Sequence, residues 1–293
     1  MASEGDRRAG LEVEARHSRV LDALRPGGDP RRGVAVALVS TVVFFGAVVF
    51  AVTHAPGWPE VRRTFFDWSY FTSSLPEIAR AFELNCKIFS IAECFILVFA
   101  LFLAVLRSLP GPVFFPLRAL AIVYADFFRG VPTILVIAIL GFGAPGLALS
   151  GVPTSTTFWG IVALVLVYSA YVSEVYRAGI ESIHPSQEAA ARSLGLTRLQ
   201  ALRKVILPQA VRRVIPPLLN DFIGLQKDTA LVGTLGAIEA FQQSQIDTNA
   251  TFNYTAYLAA ALLFVAITIP LARFTDWLIL RDRRRRQSGG AFA

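Results

Sequence analysis

Charge is what this chain has least of. Only 17% of its 293 residues are Asp, Glu, Lys or Arg, against roughly 25% in soluble domains. Lysine is scarcest: Lys87, Lys204 and Lys227 are the whole complement. From Gly130 to Ser173 there is no charged residue and no histidine. That run is too long for a core helix or strand. With a mean hydropathy of +0.54, it excludes a soluble or disordered chain. There are two cysteines, Cys86 and Cys94. On one helix they would stand about 12 Å apart, too far for a disulfide, and neither sits in a metal-ligand pattern. A disulfide scaffold and a metal site are therefore not expected. His17, His54 and His184 fall in different segments, and no span holds a His-containing acid/base pair of the kind a membrane enzyme would need.

What the chain does have is apolar segments of bilayer length. A helix needs about 20 apolar residues to cross the hydrocarbon. Six candidates lie at about 34–53, 88–106, 117–140, 157–176, 209–235 and 255–279. The first has no charge, the second contains Glu93, and the fifth is the least apolar. Gly141-Phe142-Gly143-Ala144-Pro145-Gly146 and Gly151-Val152-Pro153 favour a turn between the third and fourth. The net charge is +7, yet the basic residues flank apolar segments. That is the pattern of membrane topology, so nucleic acid is not an expected partner. With both termini in the cytoplasm, 22 of the 28 Lys and Arg residues fall on the inside and 4 outside. Residues 1–33 then read as a cytoplasmic tail, 34–53 as a first span, 54–84 as an external interfacial segment and 281–293 as a basic cytoplasmic tail. Trp58, Phe65, Phe66, Trp68 and Tyr70 suit the membrane–water boundary, or a docking surface for an external partner.

The segment between the fourth and fifth spans reads as two short helices. Glu188 to Leu194 is a good helix former and Gly195 a C-terminal stop. Thr197 can cap a second helix with Leu199, Leu202, Val205 and Ile206 on one face, ended by Pro208. On the residues alone, a knob that fits a groove on another protein and a plain connecting loop fit equally well.

This loop resembles the EAA coupling loop of ABC importer permeases. Gln187-Glu188-Ala189-Ala190-Ala191 is followed by Gly195 and then Ile206-Leu207-Pro208. Further pieces resemble the polar-amino-acid branch of that family: Phe128-Arg129-Gly130-Val131-Pro132, Ala170-Tyr171-Val172-Ser173-Glu174-Val175-Tyr176-Arg177-Ala178-Gly179 and Leu207-Pro208-Gln209-Ala210-Val211-Arg212. Pro216-Pro217-Leu218-Leu219-Asn220 and Lys227-Asp228-Thr229-Ala230-Leu231 complete the set, in family order over about residues 85–245. One position departs. Counting back from Gly195, Ala189 stands at the family's Glu position and Glu188 lies one residue earlier, which on a helix is a rotation of about 100°.

The resemblance implies an all-α integral membrane protein of the cytoplasmic (inner) membrane. It would have the type I ABC importer transmembrane fold, a five-helix core over residues 85–280 with one extra N-terminal transmembrane helix. It implies a second permease subunit, identical or different, an ATPase dimer entered by the loop at about 184–208, and an extracytoplasmic solute-binding protein. None of the three lysines follows a glycine, so there is no P-loop. ATP and Mg²⁺ then belong to the partner ATPase, and lipid surrounds the rest. A stand-alone secondary transporter or channel is the other reading. It would usually show internal repeats, and none is found.

Charges inside a span cost about 3 kcal/mol or more at the bilayer centre and usually face a cavity or a partner. Glu93, Asp126, Arg129, Glu174, Lys227 and Asp228 are of this kind. Asp126 and Arg129 share a helix face and can pair, with Gly130 and Pro132 weakening the helix just beyond. Asp221, Gly224 and Asp228 share a face of the fifth span. A zwitterionic solute needs an acceptor for its ammonium, Asp228 or Glu174, and a donor for its carboxylate, Lys227 or Arg129. The expected path is lined by Asp126, Arg129, Glu174, Lys227, Asp228 and Thr229; the other reading, preferred for Asp126–Arg129 and for Glu93, is a set of internal ion pairs that lock helix packing.

Overall fold

The computed structural model describes residues 30–109 and 111–289. Most of the expected tail 1–33, and the end of the basic tail from residue 290, lie outside the described residues. Among the described residues every regular element is helical. The chain divides into two compact units, one up to Arg62 and one from Arg63 onward.

The first unit is mainly α1 (Pro30–Thr53), 24 residues and about 36 Å long. Its apolar side chains are exposed on every side, as with Val42 at 70% and Phe45 at 61%. A helix apolar all round is a membrane span or a deeply buried one. A short helix, α2 (Trp58–Phe65), crosses into the second unit.

The second unit begins with α3 (Trp68–Ser108), 41 residues capped by Asp67, whose carboxylate accepts from the Tyr70 amide at 3.1 Å. One stripe of it is buried, through Ile78, Phe82, Asn85, Ile88, Ala92, Ile96 and Ala100. The expected boundary between an interfacial segment and a span at 84/85 falls inside this helix. Pro76 does not interrupt it. At 41 residues and about 61 Å, α3 is about twice as long as the hydrocarbon is thick.

The expected span at 117–140 is broken in two. α4 (Phe115–Gly130) and α5 (Thr133–Gly146) are bent by 101°. Pro132 has no N–H and pushes the preceding residue out of helical geometry. Val131 accordingly stands at φ −97°, ψ 132°. The turn beyond α5 is carried by Ala148 and Gly151, both at positive φ.

α6 (Thr156–Glu181) is the central post, buried from Gly160 through Ser173 on most of its sides. It packs against α3, α4, α5 and the helix that follows the loop, α9 (Leu207–Asp228). Burial against protein instead of lipid gains packing more than hydrophobic energy, so small residues mark these contacts. Gly179 is one: a Cβ there would collide with the Val214 side chain of α9. After α9 come a 3₁₀ segment (Thr229–Leu235), α10 (Ala240–Thr251) and α11 (Thr255–Gly289).

Among the described residues, four stretches are long and apolar enough to cross a membrane: Gly33–Thr53, Trp58–Ser108, Thr156–Glu181 and Thr255–Arg281. The bent α4–α5 pair makes five if it counts as one span. α9, the expected fifth span, is long enough at 22 residues but is not among these helices. Its charged residues Arg212, Arg213, Asp221, Lys227 and Asp228 lower its hydropathy, and packing against α6 and α11 shields part of it from lipid.

Candidate coupling loop and intramembrane charges

The loop after α6 folds as its residues dictate. α7 (Pro185–Ser193) starts with proline in its first turn and His184 as cap, Nδ1 accepting from the Ser186 amide at 3.2 Å. It ends where Gly195 takes φ +85°, a conformation that costs any other L-residue energy. Leu196 N–H bonds the Ala191 carbonyl and Gly195 N–H the Arg192 carbonyl, at 3.3 and 2.9 Å. This crossed pair is the Schellman closure of a helix. Thr197 and Gln200 then form a reciprocal capping box on α8 (Arg198–Ala201).

Pro208 does not end this helix, contrary to the sequence expectation. A π turn over Leu202–Ile206 leads straight into α9, with Leu207 N–H bonding the Leu202 carbonyl. The wider turn shifts the hydrogen-bond register ahead of Pro208. The ring then lies in the first turn of α9, where no N–H is required.

Ala191 and Ala201 face inward, while Leu194 is 85% and Leu199 65% exposed. Gln187, Ala189 and Ala190 are also exposed, and Leu207 is 48% exposed. Glu188 lies 3.7 Å from Arg198 across the turn. Gln209 ties the knob to α9 by donating to Gln187 at 3.3 Å, and the Arg213 guanidinium donates to the Ser182 carbonyl at the end of α6.

Three arginines converge on Glu174 near the same end of α6. Arg107, in the last turn of α3, and Arg177 both bond its carboxylate, Arg177 Nη2 at 2.7 Å. Arg129 Nη1 comes within 3.5 Å. The expected Asp126–Arg129 pair is replaced by this contact. Asp126 is exposed on α4, whereas Arg129, at the end of α4, turns towards α6. Glu174 therefore ties together the ends of α3, α4 and α6.

The charges of α9 stand elsewhere. Asp228 Oδ2 accepts from the Tyr168 hydroxyl at 2.9 Å. Tyr168 is six residues before Glu174 on α6, about 9 Å along the axis. Gly224 lies against that ring, with 3.2 Å between the Tyr168 oxygen and the position a Cβ would take. Asp221 is within electrostatic reach of Tyr168 and of Glu93 on α3. The α3–α9 contact is fixed nearby by the edge-on rings of Phe89 and Phe222, 4.2 Å between centroids. Lys227 leaves α9 on a different side from Asp228, since adjacent helical residues differ by about 100°. It is exposed, on a shallow depression shared with Phe241, Tyr257 and Phe264. Among the described residues, Ser169 Oγ, Asp221 Oδ2 and Gln226 Nε2 are buried without a hydrogen-bond partner.

Thr229 is fully buried and its hydroxyl is engaged twice. It accepts from Asn85 Nδ2 at 3.0 Å and donates to the Gln226 carbonyl at 2.7 Å. Asn85 Nδ2 also donates to Glu239 Oε2 at 2.9 Å, and Asn85 Oδ1 accepts from the Ala240 amide at 3.0 Å. Glu239 caps α10 through the Phe241 and Gln242 amides, at 2.9 and 2.8 Å. Asn85, Thr229 and Glu239 are each 0% exposed.

A family described as the binding-protein-dependent transport system inner membrane component matches residues 34–285. The chain belongs to that family. A probable amino-acid permease protein of Bacillus subtilis (strain 168), YxeN, is 35% identical over 69% of this chain and 90% of its own length. The probable glutamine ABC transporter permease protein GlnM of the same organism is 36% identical over 67% of this chain and 87% of its own. A solved structure described as an amino acid ABC transporter with histidines superposes with a TM-score of 0.65 at 28% identity, covering 74% of this chain and 98% of that one. The permease is thus an integral inner-membrane subunit of an ABC importer, with the type I transmembrane fold, and is not itself the ATPase.

Sequence reasoning singled out the loop and the residues at the end of α9, but not Asn85, Glu239 or Arg107, which the structure joins to Thr229 and Glu174. One signal for Asn85 was present. It is a polar residue in register with the buried stripe Ile78–Phe82–Ile88–Ala92 of α3. Glu239 and Arg107 carried no such local mark.

Proposed function

We propose that this permease imports a polar amino acid by alternating access driven by ATP bound, with Mg²⁺, on partner ATPase subunits. It pairs with a second permease chain, the same or a related one, and receives solute from an extracytoplasmic binding protein. Both termini lie in the cytoplasm, as the bias of Arg and Lys towards that side supports. The loop at 184–208 is the part that enters the ATPase.

The observation that carries the coupling role is an exposed, internally braced knob. Capping, the Schellman turn and the Gln209–Gln187 tie fix its shape, while Leu194 and Leu199 point outward. Apolar side chains presented from a rigid helical pair suit a groove on a partner. Glu188 is half-buried and beside Arg198, so it makes a polar contact at the edge of that groove.

The amino-acid class is supported by the relatives' names and by the polar groups that α6 and α9 bring together around Tyr168, Asp221 and Asp228. Asp228 and Lys227 are the residues assigned to the solute path. Arg129 and Glu174, with Asp126 outside them, are assigned to its loop end.

The test is reconstitution of the permease with its ATPase and binding protein in liposomes, and uptake of labelled amino acids. Uptake is expected only with ATP and with the binding protein. Replacing Leu194 and Leu199 together by Asp is expected to abolish co-purification of the ATPase without loss of folded permease. ATP-independent transport by this chain alone would refute the reading.

A further inference from the structure

The chain between Asp228 and α10 leaves α-helical geometry inside the second unit. It runs as a 3₁₀ segment from Thr229 to Leu235, reverses at Gly236 with φ +86°, and enters α10 at Ala240. A 3₁₀ segment this long is uncommon and holds its shape poorly unaided. Something outside the segment has to hold it.

We propose that Asn85 and Glu239, acting through Thr229, form a clasp that positions Lys227 and Asp228 for solute transfer. The proposal rests on the transport function given above. A single side chain, Asn85, bonds both ends of the segment: Thr229 at its start, and Glu239 with the Ala240 amide at its finish. The loop is closed on α3, a helix more than 140 residues away in sequence. Every polar group of the Asn85 amide is used, so it has one orientation. The Glu239 carboxylate is held by the Phe241 and Gln242 amides as well. It also lies against Gly233, where any Cβ would collide with Oε1, so the middle of the segment is pinned too.

The consequence for Asp228 is geometric. Thr229 is its neighbour, and Thr229 Oγ1 also bonds the Gln226 carbonyl at 2.7 Å. The two residues that flank Lys227-Asp228 are thereby joined to each other and to α3. Releasing Asn85 frees the last turn of α9 to rotate, and a rotation moves Asp228 off Tyr168. Asn85 and Glu239 are positioning residues: they are fully buried and touch the solute only through the segment they hold.

The experiment uses the assembled importer in liposomes. Asn85→Ala is expected to lower the maximal uptake rate or raise the apparent KM about tenfold, with ATPase assembly unchanged. The decisive arm is a cycle with Asp228→Asn. If the clasp acts through Asp228, Asn85→Ala costs little further uptake in the Asp228→Asn background. If its role is only to stabilise the fold, the two losses multiply, and the proposal is overturned. Because Asn85→Ala can destabilise the bundle, a second variant exchanges the pair. Asn85→Asp alone sets two carboxylates together and is expected to fail, and adding Glu239→Gln restores one amide–carboxylate bond at the loss of one of the two backbone amides Glu239 accepts, so uptake is expected to recover in part. No recovery in the exchanged variant, judged on preparations of equal melting temperature, also overturns it. Loss of ATP-driven uptake in the wild-type complex would instead strike the transport reading. The melting temperatures of the single and exchanged variants then still decide whether Asn85 and Glu239 are paired.

Discussion

Tyr168, in the middle of α6, donates its hydroxyl hydrogen to Asp228 in the last turn of α9 at 2.9 Å. That bond fixes the direction of a carboxylate which adjoins the 3₁₀ segment and faces the central post. A hydrogen bond to a charged group contributes about 1.5–3 kcal/mol. Tyr168→Phe should therefore reduce uptake about tenfold, with the permease–ATPase complex still isolated intact by size-exclusion chromatography. Asp228→Asn keeps the shape and the Tyr168 bond but removes the charge. Uptake should fall while assembly is retained, and unaltered transport would remove Asp228 from the path.

The arginines around Glu174 should not respond alike. Arg107 is 11% exposed at its side chain and Arg129 42%. Removing a buried partner leaves an uncompensated charge and costs about 3–5 kcal/mol, whereas an exposed pair is worth about 1 kcal/mol or less. Glu174→Ala strands the buried Arg107 and is expected to lower the melting temperature of the purified permease by many degrees, and Arg107→Ala by less, because Arg177 still bonds Glu174. Arg129→Ala should shift it little. Equal effects in thermal scans would contradict the geometry.

The crossing of α6 and α9 depends on Gly179, because Val214 occupies the space a side chain would need. Overpacking a fitted contact costs about 1–3 kcal/mol. Gly179→Ala should reduce the yield of folded permease and its melting temperature. Val214→Ala in the same chain should restore both. Failure of that second substitution to restore them would show that the glycine serves some other need.

The coupling knob has its own weak points. Gly195→Ala forces a side chain into the left-handed region, at a cost of about 1–2 kcal/mol. Thr197→Ala removes a cap worth about 1 kcal/mol. Both changes should leave the melting temperature of the bundle nearly unchanged and weaken ATPase binding, measured by titration of detergent-solubilised subunits. The two should act additively to within a few tenths of a kcal/mol only if they loosen the knob independently.

Much of this was legible from residues alone. The first helix of the loop and the start of the second followed from local chemistry: a helix former, a glycine stop and a threonine cap act on backbone groups two to five residues away; the expected end at Pro208 did not, because a π turn carries the helix on into α9. The uncharged run from Gly130 to Ser173 marked the membrane, and it divided into α5 and most of α6. The break at Pro132 was expected as a weakness in a helix, since a missing N–H is a property of one residue. Its consequence, a 101° bend, was not readable.

What the sequence by itself determined is therefore the membrane class, the family and the shape of the cytoplasmic knob, all set by short-range rules or by composition. Only the tertiary structure decided which charges meet. Arg129 shares a helix face with Asp126 yet pairs with Glu174, 45 residues on. Asn85 closes on Glu239, 154 residues on. Thr229, expected on the solute path, is held by that contact instead. Such pairings depend on how helices cross, and crossing is set by small residues such as Gly179 and by shape, which no single segment encodes. In a bilayer with little water to satisfy stray polar groups, the fold has to bring those distant partners together.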